Sequence, residues 1–401
     1  MKKILLLGGS AAQLVAIETA KRLGYYTVVC DYLPDNLGQH IADSFHLVST
    51  TDKDAVLAVA REEQIEGIVA YSSDPAAPTA AYVAGKMGLV GLDYDVVRHF
   101  CEKNLFREFL QEHGFNVPRS VALKASYKLD VVDLSAFRYP LIVKPTDSSG
   151  SKGITVITKQ AELAKALSYA REFSRNGTLI IEEFIQRDHP HVIEAEIFAV
   201  DGEVMSWGLI NSIRDASSNP LLPAAYTYPL QLPDERIEIV KREVSRLVAA
   251  CGRASGAFNI EMILDRDNRL FFLDAGPRNG GNMLPEFISM ISRKDVVAAT
   301  IETAMGNGTN VDVSLDGREG GFWGLGVLHS AVAGKFTGVT YAPKAKSCLV
   351  RENVQREVGS EIRPFERCND LVGLSFFHFQ SQADMDEVMC NMMATMKVCV
   401  V

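Results

Sequence analysis

The chain of 401 residues, 47% hydrophobic and 23% charged, is too long for one compact core and suits two or three domains, a composition that excludes a disordered chain. Its net charge of -9 argues against a nucleic-acid surface, so an anionic ligand must be met by cations placed locally. The seven cysteines are scattered without a C-x-x-C pair, which indicates neither a zinc site nor a disulfide framework.

The opening MKKILLL is interrupted by Gly8, Gly9 and Ser10 before it reaches signal-peptide length. No later segment is long and apolar enough to span a membrane, so a cytoplasmic protein without membrane contact is expected. Up to about residue 92, apolar runs (ILLL, YTVVC, FHLVS, GIVAYS, LVGL) alternate with helix-like stretches at 13–23, 55–63 and 76–87. That alternation implies a Rossmann-like parallel sheet covered on both faces. The turn GGSAAQ, with Asp31 ending the second strand, has the outline of a dinucleotide site but lacks the third glycine of G-x-G-x-x-G. Asp31 is as well explained as a turn former, and a nicotinamide oxidoreductase would leave the signals further along without a role. Asp93 can cap a helix carrying Val96, Val97 and Phe100 on one face. After Lys103, LFREFLQEHG places Leu105, Phe106, Phe109 and Leu110 on one side and stops at Gly114.

The stretch IVKPTDSSGSKGI puts Lys144 on an apolar strand ahead of a loop of small residues, Ser148, Ser149, Gly150, Ser151 and Gly153, and ITVIT follows. Small residues let backbone N–H groups approach an anion, and lysines add point charge. The order strand, loop, strand is not that of a P-loop, and alone it is more often an ordinary hairpin connection. A helix at 162–173 leads to TLIIEEFI, where Glu182 and Glu183 interrupt an apolar strand and Phe184 and Ile185 offer walls for a purine. HVIEAEIFAV and VMSWGLI read as strands, and 235–250 as a helix with a core face.

FNIEMILDRDNRLFFLDAGPRNGG reads as two strands and a polar turn. A two-residue turn at Asp267 and Asn268 sets Glu261 directly opposite Asp274, and a longer one from 265 to 268 makes them diagonal neighbours. Two carboxylates facing each other in an apolar frame call for shared protons, cations or a metal, unless they lie on a solvated sheet edge; magnesium, the preferred reading, takes one or two carboxylates together with substrate phosphates. Arg278 follows in a loop fixed by Gly276, Pro277, Gly280 and Gly281, where its fork suits a carboxylate or phosphate near the metal, or a salt bridge to Glu261 or Asp274 themselves. The last portion, 308–401, holds FWGLGVLH, CLVRE, FFHFQ and a helix whose methionines are spaced as core.

Lys103, IVKPTDSSGSKGI, IIEEFI, FNIEMIL and FLDAGPRNGG, in that order, resemble the ATP-grasp superfamily of ATP-dependent carboxylate-amine ligases. The fold class this implies is α/β, with an α+β core: a Rossmann-like domain at 1–98, an ATP-grasp domain at 99–307 with a mobile lid at about 120–185, and a small α+β domain at 308–401. The resemblance implies that Lys103 and Lys144 contact ATP phosphates under the loop 148–153. It makes Glu182, Phe184 and Ile185 the hinge strand that reads adenine. Glu261 and Asp274 hold Mg2+, or Mn2+ in its place, and Arg278 with Lys144 serves catalysis, Arg278 facing the acyl substrate. The sequence departs from the pattern at Asp274, where Glu is usual, and at Gly276, where a metal-binding Asn is common. Glu194 and Glu196 stand as candidates for the ribose contact. The activity implied is phosphorylation of a carboxylate and transfer of the acyl group to an amine, both small molecules. The alternatives are carbamoyl-phosphate-synthase-like chemistry on bicarbonate or carbamate, or nucleotide binding without turnover. Substrate-lining residues are expected in SIRDASSNPLLPAAYTYP and the C-terminal portion, with Arg214 and His329 as contacts or as a surface arginine and a packed histidine. A homodimer is the default assembly.

Overall fold

The computed structural model describes residues 1–124, 132–215 and 217–401. Residues 125–131, inside the expected lid, and Ala216, inside the expected substrate segment, lie outside the described residues.

The first 92 residues form the expected parallel sheet, from β1 (Lys3–Leu7), β2 (Tyr26–Asp31), β3 (Ser44–Leu47) and β4 (Gly67–Val69), in the order β3-β2-β1-β4. The helices α1 (Leu14–Arg22), α2 (Lys53–Glu63) and α3 (Ala77–Met87) connect these strands and continue beyond them. Because both faces are covered, Leu5, Val28 and Ile68 pack into one core and Ile4, Leu6 and Val29 into another. LVGL forms no strand. The turn after β1 is closed by the chain itself: Gly9 N–H donates to Asp31 Oδ2 at 2.8 Å, Leu33 N–H to Asp31 Oδ1 at 2.9 Å, and Gly38 N–H to the Gly9 carbonyl at 2.7 Å. A Cβ at Gly9 would lie 2.0 Å from Asn36 Oδ1. Asp31 is therefore a turn former, and its oxygens are occupied where a dinucleotide ribose would need them.

Two helices, α4 (Tyr94–Cys101) and α5 (Lys103–Glu112), lead into a four-stranded sheet ordered β5-β8-β6-β7. Its strands are β5 (Ser120–Lys124), β6 (Leu141–Pro145), β7 (Thr155–Ile157) and β8 (Thr178–Glu183), with α6 (Leu163–Arg171) on one side. Asp93 caps α4 as its position suggests, accepting from Asp95 and Val96 N–H.

A larger antiparallel sheet comes next, built on β9 (Val192–Val200), β10 (Glu203–Asp215), β11 (Asn219–Tyr228), β12 (Gly256–Leu264) and β13 (Leu270–Gly276). The helix α7 (Asp234–Ala250) covers one face through Val240, Val244 and Leu247, and α8 (Leu284–Ser292), followed by α9 (Val296–Ala304), covers the other through Phe287, Ile288 and Ile291. The expected C-terminal unit does not begin a sheet of its own at 308. β14 (Phe322–Leu328) pairs with β11, so the sheet runs β13-β12-β9-β10-β11-β14-β18-β16 through β16 (Leu349–Val354) and β18 (Gly373–Phe379). Beyond it lie β15 (Gly334–Tyr341), β17 (Glu361–Ile362) and β19 (Met396–Val400), with the short α10 (Pro343–Cys348), α11 (Gln382–Met389) and α12 (Met392–Thr395). Met385, Met389 and Met392 are core, as their spacing suggested, but the expected single helix is broken into α11 and α12 and Met393, expected in the core, is exposed.

Candidate active site

Lys103 opens α5 and is 7% exposed, so it is not the solvated lysine that its isolation in the sequence would suggest. Its backbone N–H donates to the Thr146 carbonyl at 2.8 Å and its Nζ to the Ser148 carbonyl at 3.0 Å, which ties the start of the glycine-rich loop to the helix. The same Nζ lies 3.3 Å from Asp274 Oδ2. One turn later Arg107, also buried, points the same way, since residues four apart share a helix face.

Arg107 completes a buried charge triad with Glu182 and Lys144. Lys144 Nζ sits 2.6 Å from Glu182 Oε2 and Arg107 Nε donates to Glu182 Oε1 at 2.7 Å. Burial pushes the Glu182 carboxyl up, but the Arg107 and Lys144 charges outweigh it and hold it at about 2. For Lys144 burial dominates, and with the positive charges of Arg107 and Lys103 it lowers the ammonium below its ordinary range despite Glu182. Arg107 also donates to the Phe272 and Leu273 carbonyls at 3.2 and 2.9 Å, so it links the small sheet to the strand that carries Asp274.

This arrangement changes the reading of the expected hinge strand. The Glu182 side chain belongs to the triad, and its strand is paired on both edges, with β5 and β6. Phe184 and Ile185 fall just after β8, where Phe184 N–H donates to the Pro140 carbonyl at 3.0 Å and the residue is 37% exposed. They form a connecting segment between the two sheets and not a strand.

The loop between β6 and β7 bends through Gly150 and Ser151, both at positive φ, and Ser151 Oγ donates to the Leu221 carbonyl at 3.0 Å. A Cβ at Gly150 would come within 2.4 Å of Cys368 Sγ. The loop thus lies against both β11 and the C-terminal portion.

On the large sheet Glu261 does face Asp274, by a route the turn counting did not foresee. Near the turn Leu264 pairs with Leu270, and Asn268 N–H donates to the Asp265 carbonyl at 3.0 Å, an intermediate loop length. A bulge between Glu261 and Met262 then shifts the register by one and brings the carboxylates opposite. The row continues across the sheet, because Glu261 also pairs with Glu194 on β9. Glu194 is 3% exposed; burial first, then the Glu261 charge, push its carboxyl up to about 7. Glu196, two residues on, shares that face and accepts from the Gly280 N–H at 3.0 and 2.9 Å. Burial raises it to about 8 against that hydrogen bond and Arg278. Two cations answer the row: Lys103 at Asp274, and Arg214, whose NH2 lies 3.3 Å from Glu261 Oε2.

Among the described residues no group of three or more His, Cys, Asp or Glu side chains is arranged to hold a metal ion. Glu261 and Asp274, 30% and 44% exposed, still offer two carboxylates side by side, a donor set that suits Mg2+ completed by phosphate oxygens. Gly276, which lacks the carboxamide expected there, pairs with Asn259. That carboxamide is engaged, with Nδ2 donating to Glu194 Oε1 at 3.0 Å and Oδ1 accepting from Arg278 at 3.2 Å.

Arg278 does not stand free toward an acyl substrate. Its Nε donates to Asp74 Oδ1 at 2.7 Å, its NH2 lies 2.6 Å from the same oxygen, and NH1 donates to Asn259 and the Asn279 carbonyl. Burial pulls the guanidinium down, and the Asp74 and Glu196 charges outweigh it. Arg278 is therefore salt-bridged, but to Asp74 in the loop after β4 and not to the expected Glu261 or Asp274. His329 is likewise packed: 3% exposed, its Nε2 3.3 Å from Asp215 Oδ2 and its ring centroid 4.4 Å from that of Phe365.

Residues 137–286, which hold all of these groups except Asp74, those of α5 and those of the C-terminal portion, match the model of the ATP-grasp domain. The chain carries an ATP-grasp domain. The chain is 26% identical over 283 residues to the formate-dependent phosphoribosylglycinamide formyltransferase of Salmonella schwarzengrund, covering 69% of each chain. It is 23% identical over 262 residues, 64% of its length, to the carbamoyl phosphate synthase large chain of Thermotoga petrophila, but spans only 23% of that protein. Its fold is that of the L-amino acid ligase from Bacillus licheniformis, with TM-score 0.81, 19% identity and coverage of 100% and 99% of the two chains. The phosphoribosylglycinamide synthetase from Anaerococcus prevotii superposes with TM-score 0.76, 21% identity and full coverage of both.

Sequence reading missed Arg107 and Asp74. Arg107 had a signal, its spacing of four from Lys103 on a helix otherwise read only for its apolar face. Asp74, in the loop after β4, had none.

Proposed function

We propose that this chain is an ATP- and Mg2+-dependent ligase that phosphorylates a small carboxylate and transfers the acyl group to an amine, releasing ADP and phosphate. The observation that carries this reading is the position of Lys103, whose ammonium bridges the glycine-rich loop at Ser148 and the carboxylate pair at Asp274. A triphosphate and its cation would sit between those groups, with Lys103 and Lys144 over the phosphates and the loop 148–153, with Ser149 and Gly153, as a lid. Glu261 and Asp274 would hold the metal, which would supply positive charge to phosphate oxygens; Mn2+ would suit the same oxygens. Phe184 and Ile185 remain the apolar walls for adenine.

In the reaction a carboxylate oxygen of the substrate bonds to the γ-phosphorus as the bond to the β–γ bridging oxygen breaks and ADP leaves. The amine nitrogen then bonds to the acyl carbon, phosphate departs, and the nitrogen loses a proton. Lysine charge stabilises the transferring phosphoryl group, and the loop excludes water that would hydrolyse the acyl phosphate. No protein nucleophile is needed.

ADP release measured with MgATP and a panel of carboxylates, bicarbonate included, alone and with amines, tests this. We expect turnover to require both substrates and to fall by ~100-fold or more in Glu261→Gln. ATP hydrolysis indifferent to both substrates, or magnesium-dependent ATP binding without turnover, would contradict it.

A further inference from the structure

The face of the large sheet that carries Glu261 leaves three buried polar atoms without a hydrogen bond of normal geometry, Glu194 Oε2, Ser212 Oγ and Arg214 NH1, although the Ser212 hydroxyl lies near enough to Glu194 to favour its charged form. They belong to one patch. Glu194 lies beside Glu261 in register on β9, and Ser212 and Arg214 follow Ile210, the residue opposite Glu194, at alternate positions on β10. Glu194 is 3% exposed, Ser212 fully buried, and the Arg214 side chain 10% exposed. Tyr226, opposite Ser212 on β11, closes the patch and accepts at its hydroxyl from Asn282 at 3.0 Å.

A carboxylate and a guanidinium held out of water would be stabilised most simply by pairing fully with each other, and an unpaired buried charge is costly. Here each is only half engaged. Arg214 directs NH2 to Glu261, and Glu194 accepts from Asn259 through Oε1 alone. What remains is a donor on one side and an acceptor on the other, next to the carboxylate pair assigned to the metal. Arg278, by contrast, has its donors occupied by Asp74, Asn259 and Asn279.

We propose that Arg214, Glu194 and Ser212 form the acyl-substrate subsite and that its ligand is an α-amino acid zwitterion, with Arg214 NH1 receiving the carboxylate and Glu194 Oε2 the ammonium. This inference rests on the ligase reading and names its substrate class. It makes Arg214, not Arg278, the arginine that meets the substrate. An acid without an amino group would leave Glu194 buried and unpaired, and an amino-acid amide would leave Arg214 so. Selection against both follows from the desolvation of the unsatisfied partner.

The test is the melting temperature of the full chain with MgADP, then with MgADP plus each of the common L-amino acids. For any amino acid that raises it, the matching des-amino acid and amino-acid amide are compared. We expect at least one amino acid to add a further shift, its two analogues to add none, and Arg214→Gln and Glu194→Gln to weaken its binding by at least ~10-fold. A cooperative melting transition of each variant without ligand shows that it folds. A des-amino acid that binds as well as its parent, an absence of any amino-acid shift where MgADP gives one, or variants that bind like wild type would overturn the subsite. An amino-acid shift without any response to MgADP would leave the subsite standing and sink the ligase reading.

Discussion

Glu182 is visible in the sequence as a carboxylate interrupting an apolar strand, but there it reads as part of a purine site. Its partners are not visible: Lys144 reads as a phosphate contact, and Arg107, 75 residues away, meets it only where helix and strand come together in the folded chain. The triad makes a sharp prediction. Replacing Glu182 by Gln leaves Lys144 and Arg107 buried against each other and lowers stability by about 3–5 kcal/mol at pH 7 in urea denaturation. Replacing Arg107, Lys144 and Glu182 together by Met removes all three charges, and this variant should be more stable than Glu182→Gln. The loss from Glu182→Gln also depends on pH. The carboxyl is held at about 2 against an ordinary 4.5, so its contribution is complete above the ordinary value and disappears as pH falls through about 2. The difference between wild type and Glu182→Gln should shrink over that window; a gap independent of pH would contradict the triad.

Between elements, the carboxylate pair was legible because strand pairing is arithmetic, although the bulge that rescues the register was not. β11 was unreadable for a different reason. Pro220 and Pro223 punctuate SIRDASSNPLLPAAYTYP like a loop, yet they lie in the part of β11 that β14 does not pair, since β14 pairs only with residues 225–228. The glycine-rich loop was legible as a connection between strands, but its contact with Cys368 spans sequence that no local pattern joins. Gly150 tests that contact. Gly150 and Gly177 have nearly equal positive φ, +66° and +67°, but a Cβ at Gly177 meets nothing within 4 Å. Both alanine variants share the backbone strain of about 1 kcal/mol; Gly150→Ala should lose more, read as a lower melting temperature and faster proteolysis at the loop. Equal losses would mean that the loop does not rest on Cys368.

At the scale of the molecule, the alternation that marks a parallel sheet and the order of motifs along 180 residues made the architecture readable from sequence, since each depends on local pattern. The continuity of the large sheet into the C-terminal portion did not show, because β14 reaches β11 across the whole of α7, β12, β13, α8 and α9. Nor did the joint between the first sheet and the site, where Asp74 holds Arg278 and Ser72 donates to the Gly280 carbonyl at 2.6 Å. Asp74→Asn should weaken that joint by about 1–3 kcal/mol, seen as a lower unfolding midpoint and earlier proteolytic release of the segment that carries the first sheet. A variant as stable and as protease-resistant as wild type would show that this segment is held by other contacts.

The measurement that most directly tests the chemistry is transfer of oxygen from substrate to phosphate. With the carboxylate of the acyl substrate labelled with 18O, turnover in MgATP and amine should deliver one labelled oxygen to each phosphate released, detected by mass spectrometry, because the carboxylate oxygen that attacks phosphorus leaves with it. Phosphate carrying no label while the amide product forms would contradict activation through an acyl phosphate.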